Sequence, residues 1–335
     1  MLGAPPVHPG PEGSRPRRGD TTHTLMRLPA TALALGAVAL AGLGAGAVPA
    51  RAPSGPTVGG CRVFPSTNAW NRDVSRDPVD PRSSAYISSI DSHGNHFLHA
   101  DFGGGGAYGI PYGVVPRGQR RVPIHFTAYG DESDPGPYPI PPNARVERGS
   151  DRHVIIVQRG SCRLFEMFNA RRSGAGWDAD SGAVFNLRSN RLRREGWTSA
   201  DAAGLPILAG LARYDEVRAG AIRHALRFTV QRTQRGYVHP ATHFASGDTD
   251  SNLPPMGLRL RLKASFPIGA YHGQSRVILN ALKRYGMIVA DNGADWFVTG
   301  GSDRRWNDDD LNQLKRVPGS AFEVVRSEPI RHATG

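Results

Sequence analysis

The chain has 335 residues, of which 39% are hydrophobic and 21% charged, which excludes a disordered or coiled-coil protein and is ample for a core. Two cysteines exclude a disulfide-dense miniprotein and a four-cysteine zinc module. The 41 glycines and 27 prolines make a loop-rich chain, more typical of β architecture than of a helical bundle. Lys263, Lys283 and Lys315 are the only lysines, so the net charge of +12 is carried by arginine, and no basic block or binding motif points to nucleic acid.

Arg27 leads the apolar run 28–50, which ends at Ala50-Arg51-Ala52, the pattern of an export signal cleaved near Ala52. Met26 follows a Pro/Gly/Arg-rich stretch and is an alternative start. The rival reading of the run is an uncleaved anchor, but Gly and Ala dominate it, so no stable membrane span is expected in the mature chain. Removing residues 1–52 takes away five arginines and two acids and leaves a net charge of +9. Residues 53–60 read as a linker, 61–326 as a single β-rich domain and 327–335 as a tail. In an oxidising compartment Cys61 and Cys162 are expected to form one disulfide.

Strand signals dominate the domain. Short β-branched or aromatic runs occur at 122–127, 153–158, 162–168 and 183–187. The run 222–230 alternates, with His224, Leu226, Phe228 and Val230 on one face and Arg227 and Thr229 on the other. The run 258–263 also alternates, which predicts three leucines inward and Arg259, Arg261 and Lys263 outward in an antiparallel sheet with one wet face. Helices are predicted over 275–285 and 307–317, and further strands at 287–290, 296–299 and 322–325. This pattern predicts a mainly β fold: a β-sandwich or jelly roll of antiparallel sheets with two or three peripheral helices, with a β-rich α+β fold as the alternative.

The runs GWTSADAAGLPI (196–207), RYDEV (213–217), HALRFT (224–229), PPMGLRLRLKASF (254–266), ALKRYGMIVADNG (281–293) and RWNDDDL (305–311) resemble a group of secreted bacterial proteins of actinobacterial type. The resemblance covers most of 61–325 and brings no activity with it.

Chemistry-bearing residues are densest at 213–243, where Asp215 and Glu216 precede the alternating run and Tyr237, His239 and His243 follow it. Asp151 and His153 stand two residues apart, the spacing at which a carboxylate can orient an imidazole base. Glu166 interrupts an apolar strand and is expected to face inward, where burial would raise its pKa toward general-acid use. His93, His96, His99 and Asp101 form a loose cluster, read as turn and surface groups, and HxxxH at 239–243 lacks the glutamate of a zinc protease. No cofactor motif is present. The acidic, proline-stiffened loop 131–142 is a calcium candidate, and with Tyr138 it would also serve as a cleft wall. Trp177 is one of five dispersed tryptophans suited to stacking on a sugar. Ser199 reads as a turn cap, not as a nucleophile.

The leading expectation is a secreted glycoside hydrolase acting on an extracellular glycan or cell-wall polysaccharide. Glu166 would be its acid, Asp215 or Glu216 its base or nucleophile, and Asp151–His153 a support pair. In the alternative, a polysaccharide lyase on a uronate polymer, His224 or His243 takes the proton, Tyr237 is the acid and Arg227 neutralises the carboxylate. A third reading is a non-catalytic glycan-binding or cell-surface protein.

Overall fold

The computed structural model describes residues 55–333, so the expected signal segment and its cleavage site lie outside the described residues. The fold is mainly β. Two sheets dominate: a six-stranded sheet ordered Phe322–Val324, Arg259–Leu262, Met287–Asn292, Leu226–Val230, Phe297–Thr299, His99–Asp101, and a four-stranded sheet ordered Ser181–Asn186, Arg163–Phe168, Val154–Gln158, Tyr112–Val115. The sheets are mixed, because Leu226–Val230 runs parallel to Met287–Asn292 and Tyr112–Val115 runs parallel to Val154–Gln158. Nine of the predicted runs contain strands, and both predicted helices form, as Gly273–Arg284 and as Asp308–Leu311 continued by a tighter turn. The helix Ser83–Asp91 and the single turns Ile207–Gly210 and Tyr214–Arg218 were not foreseen.

The four-stranded sheet is covered on both faces, which explains why Val154–Gln158 is buried along its whole length. Ile155, Val157 and Leu164 face the large core shared with the six-stranded sheet. Val154, Ile156, Phe165 and Met167 face a smaller cluster built around Tyr138 and Trp177. Cys61 and Cys162 are bonded, with their Cα atoms 5.4 Å apart. Among the described residues, no helix is long and apolar enough to cross a membrane.

Three local expectations are corrected. Arg259 and Arg261 are buried, because the segment 69–77 lies over their face and offers carbonyls: Ala69 accepts from Arg259, and Asp77 accepts from Arg261 at 2.7 Å. Within the expected linker, Thr57–Val58 pairs with Cys61–Arg62 and buries Val58. In the expected tail, the Arg331 amide donates to the Tyr237 carbonyl at 2.8 Å and receives the reciprocal bond.

Candidate functional site

The site is set by register. Arg227 pairs with Ile288 and Phe228 with Val289, after which the pairing slips so that Thr229 meets Asp291 and Ala290 is left over. Paired residues of neighbouring strands share a face, so this bulge places Asp291 on the face of Arg227 and Thr229. Continuous register would have put Ala290 there and turned Asp291 away. On the other flank, Thr299 leads the Arg227 strand across to Asp101, with which it pairs.

Arg227 is buried and holds this face together. Its Nε donates to Asp201 Oδ2 at 3.0 Å, its Nη1 donates to Thr299 Oγ1 at 2.9 Å, and its Nη2 lies 3.8 Å from Asp291 Oδ2. Asp201 is 1% exposed, and its Oδ1 accepts no hydrogen bond among the described residues. Asp291 keeps a side chain that is 32% exposed. Both carboxylates line a cavity of about 270 Å³ with Thr198, Ser199, Phe168 and His243.

Burial, and then the neighbouring Asp201, push the Asp291 carboxyl up to about 7. Burial also raises Asp201, against the pull of Arg227. Two carboxylates thus share one guanidinium, with the shorter contact to Arg227 made by Asp201. Burial works against the charge on Arg227, but Asp201 and Asp291 outweigh it and keep the guanidinium cationic.

The loop that carries Asp201 is fixed from three sides. The Ser199 hydroxyl accepts from the Asp201 amide at 2.9 Å and donates to the Leu205 carbonyl at 2.6 Å, the turn-capping role expected of it. Glu132 accepts from the Thr198 amide at 2.8 Å. His153 Nε2 donates to the Ala200 carbonyl at 3.0 Å while Nδ1 faces Glu147 Oε2 at 2.5 Å. Both ring nitrogens therefore meet acceptors, which favours the imidazolium. Burial depresses His153, but the hydrogen bond and charge of Glu147 overcome it and raise its pKa. Donor atoms of Glu147, Asp151 and His153 lie within 4.8 Å of one another. With both His153 nitrogens engaged, however, the trio offers no imidazole lone pair to a metal.

Of the residues predicted from sequence, Arg227, His153 and His243 belong to this region. His243 Nδ1 donates to the Ala202 carbonyl at 2.7 Å, leaving Nε2 on the cavity side, 4.0 Å from Glu132.

The remaining assignments are corrected. Glu166 faces inward as its alternation predicts, and burial pushes its carboxyl up to about 7 as expected, but it is 0% exposed and lines none of the described cavities. Its two oxygens accept from the amides of Ile207 and Leu208, each at 2.9 Å, so it caps a helical turn and does not meet substrate. Asp215 and Glu216 sit on the helical turn Tyr214–Arg218. Asp215 is exposed and paired with Arg305 at 3.1 Å. Glu216 is tied to Arg213 at 2.6 Å and to His224 Nε2 at 3.1 Å, a buried structural network away from Asp201. Asp151 is exposed and accepts from Ser150, so His153 takes Glu147 and not Asp151 as its partner. Tyr237 and His239 converge on Glu195, where His239 Nε2 lies at 2.7 Å. Tyr138 donates its hydroxyl to the Asp134 carbonyl at 2.6 Å inside the smaller core, and Trp177 is buried beneath Arg172, so neither presents a face to a ligand.

Asp201, Asp291 and Glu147 escaped the sequence reading. Asp201 is embedded between Ala200 and Ala202, and Asp291 follows the apolar run 287–290 within its strand; an acid set into or just after an apolar run was the available signal. No family model matches the chain, and neither a curated protein nor a solved structure matches it.

Proposed function

We propose that the protein is a secreted glycoside hydrolase that works on an extracellular polysaccharide with Asp291 as general acid and Asp201 as its carboxylate partner. The observation that carries this reading is the convergence of two carboxylates, both raised by burial, on Arg227 in the lining of one cavity; in the proposal Asp291 holds the proton and Asp201, in the shorter contact with Arg227, is the ionised partner. Glycosidic cleavage needs this division of labour between an acid and a base or nucleophile. Asp291 gives its proton to the departing glycosidic oxygen as the bond to the anomeric carbon breaks. Asp201, as the carboxylate partner, takes a proton from the attacking water, and proton exchange with solvent restores the pair. His243 lines the same cavity and supplies a polar contact for a sugar hydroxyl through Nε2.

The test is a polysaccharide panel incubated with the mature chain and assayed for new reducing ends and for ultraviolet-absorbing unsaturated ends. Reducing ends without unsaturation, abolished in both Asp291→Asn and Asp201→Asn, support hydrolysis. Unsaturated ends would replace it with a lyase in which His243 Nε2 takes the proton. In that case Arg227, already engaged by Asp201 and Thr299, would still not be the group that neutralises the substrate.

A further inference from the structure

A second cavity, of about 420 Å³, opens elsewhere on the chain, with Phe64, Trp70, Phe185 and Leu205 among its apolar walls and Arg259 among its polar lining. Arg259 stands two residues before Arg261 on the same strand and the same face, yet the two are satisfied very differently. Arg261 pairs with Glu323 at 2.7 Å and also donates to the carbonyls of Val74 and Asp77. Arg259, 8% exposed, donates through Nη2 to the Ala69 carbonyl, and its Nη1 has no acceptor among the described residues. No carboxylate of the described residues lies within 4.0 Å of it. A guanidinium taken out of water without a counter-charge is costly. Burial, followed by repulsion from Arg72, holds the Arg259 pKa down to about 9, so it is still a cation at neutral pH.

The surroundings specify the anion that would relieve this. Arg259 is the buried cation of this lining without a counter-charge, while Arg191, Arg326 and the carboxylate of Glu328 lie at its exposed part. Arg72, also at this cavity, is already paired with Asp77 at 2.5 Å. The aromatic and aliphatic walls suit an apolar body more than a ring of hydroxyls. We infer that this cavity binds an organic monocarboxylate with an apolar body, whose carboxylate is taken by Arg259. The inference is independent of the hydrolase reading, because neither Asp201 nor Asp291 lines this cavity.

Titration calorimetry on the mature chain, with phenylacetate, hexanoate, glucuronate and inorganic phosphate as separate probes, tests it. Saturable binding of phenylacetate or hexanoate, tighter than that of glucuronate or phosphate, is expected. Arg259→Met should weaken that binding at least about tenfold, equivalent to about 1.4 kcal/mol. The variant should unfold at no lower a temperature than the parent, because Met removes an unpaired buried charge. Leu192→Glu, at an exposed lining position, keeps Arg259 but sets a negative charge beside the cavity, and it should also weaken binding with unfolding unchanged. No saturable binding of either apolar monocarboxylate, undiminished affinity in either variant, or a preference for glucuronate or phosphate would overturn the proposal.

Discussion

Thr229 pairs with Asp291 and not with Ala290, and this one-residue slip turns an acid that ends a buried strand onto the face where Arg227 is already bound to Asp201. The arrangement depends on a local fault in an otherwise regular parallel pair, at the end of the strand where a side chain can reach a cavity.

Asp291→Asn should lower turnover on a responsive polysaccharide by about 10²–10⁴-fold, the usual worth of a positioned acid. It should also remove the fall in rate that accompanies loss of the Asp291 proton near pH 7. A rate profile measured from pH 4 to 9 for both proteins checks this, and an unchanged profile in the variant would exclude Asp291 from the chemistry.

The same group makes stability depend on pH. The folded-state pKa of Asp291 is raised from 3.8 to about 7, so across that interval the folded chain holds a proton that the unfolded chain releases. The contribution of Asp291 therefore becomes less favourable as pH rises through the interval, and its cost is fully present above it. Asp291→Asn should gain on the wild type between pH 4 and pH 7.5 by about 1–2 kcal/mol, a figure reduced for partial exposure. Urea unfolding at both pH values measures the change.

His153 has the opposite sign. Its folded-state pKa is raised above the ordinary 6.5 by Glu147, so the contribution of that pair is complete below pH 6.5 and fades as pH rises through the raised value. Glu147→Gln should cost about 1–3 kcal/mol at pH 6, the range for a hydrogen bond to a charged group, and distinctly less at pH 9. Equal costs at both pH values would show that the His153 ring is neutral throughout.

Glu166→Gln is expected to reduce stability, by about 1–3 kcal/mol, because one of the two amides at Ile207 and Leu208 would face an amide nitrogen in place of an oxygen. Its rate profile should keep the shape of the wild type. Thermal unfolding together with pH–rate data distinguishes this from a catalytic role, which would abolish turnover at full stability.

Reducing the Cys61–Cys162 bond should destabilise the chain by up to about 4.7 kcal/mol, the chain-entropy value for a closed loop of this order. The bridge spans 101 residues of sequence. Denaturant unfolding of Cys61→Ser/Cys162→Ser against the parent provides the measurement.

Much of the strand pattern was legible because alternation and β-branched content are local properties. The runs around Val154, Leu164, Phe228 and Leu260 all became strands. What alternation could not convey was which element would lie on each face. Arg259 and Arg261 alternate with leucines as solvent-facing residues do, yet segment 69–77, nearly 190 positions earlier, covers them. The site was less legible for a related reason. Its acids come from loop 198–202 and from a strand end shifted by a bulge, and neither a bulge nor a partner strand can be read from one stretch of sequence. Glu166 had the right burial and the right direction, but its oxygens were claimed by amides some forty residues away. His153 is held by Glu147 and not by Asp151, the carboxylate that the two-residue spacing had suggested.

Residues 198–202 border the acidic cavity and residues 204–206 border the apolar one, so a single short stretch is a party wall between two chambers. A substitution there will disturb both tenants at once and produce mixed phenotypes. Asp291 and Arg259 each touch one chamber alone, and they are the positions from which the two proposed roles can be tested separately.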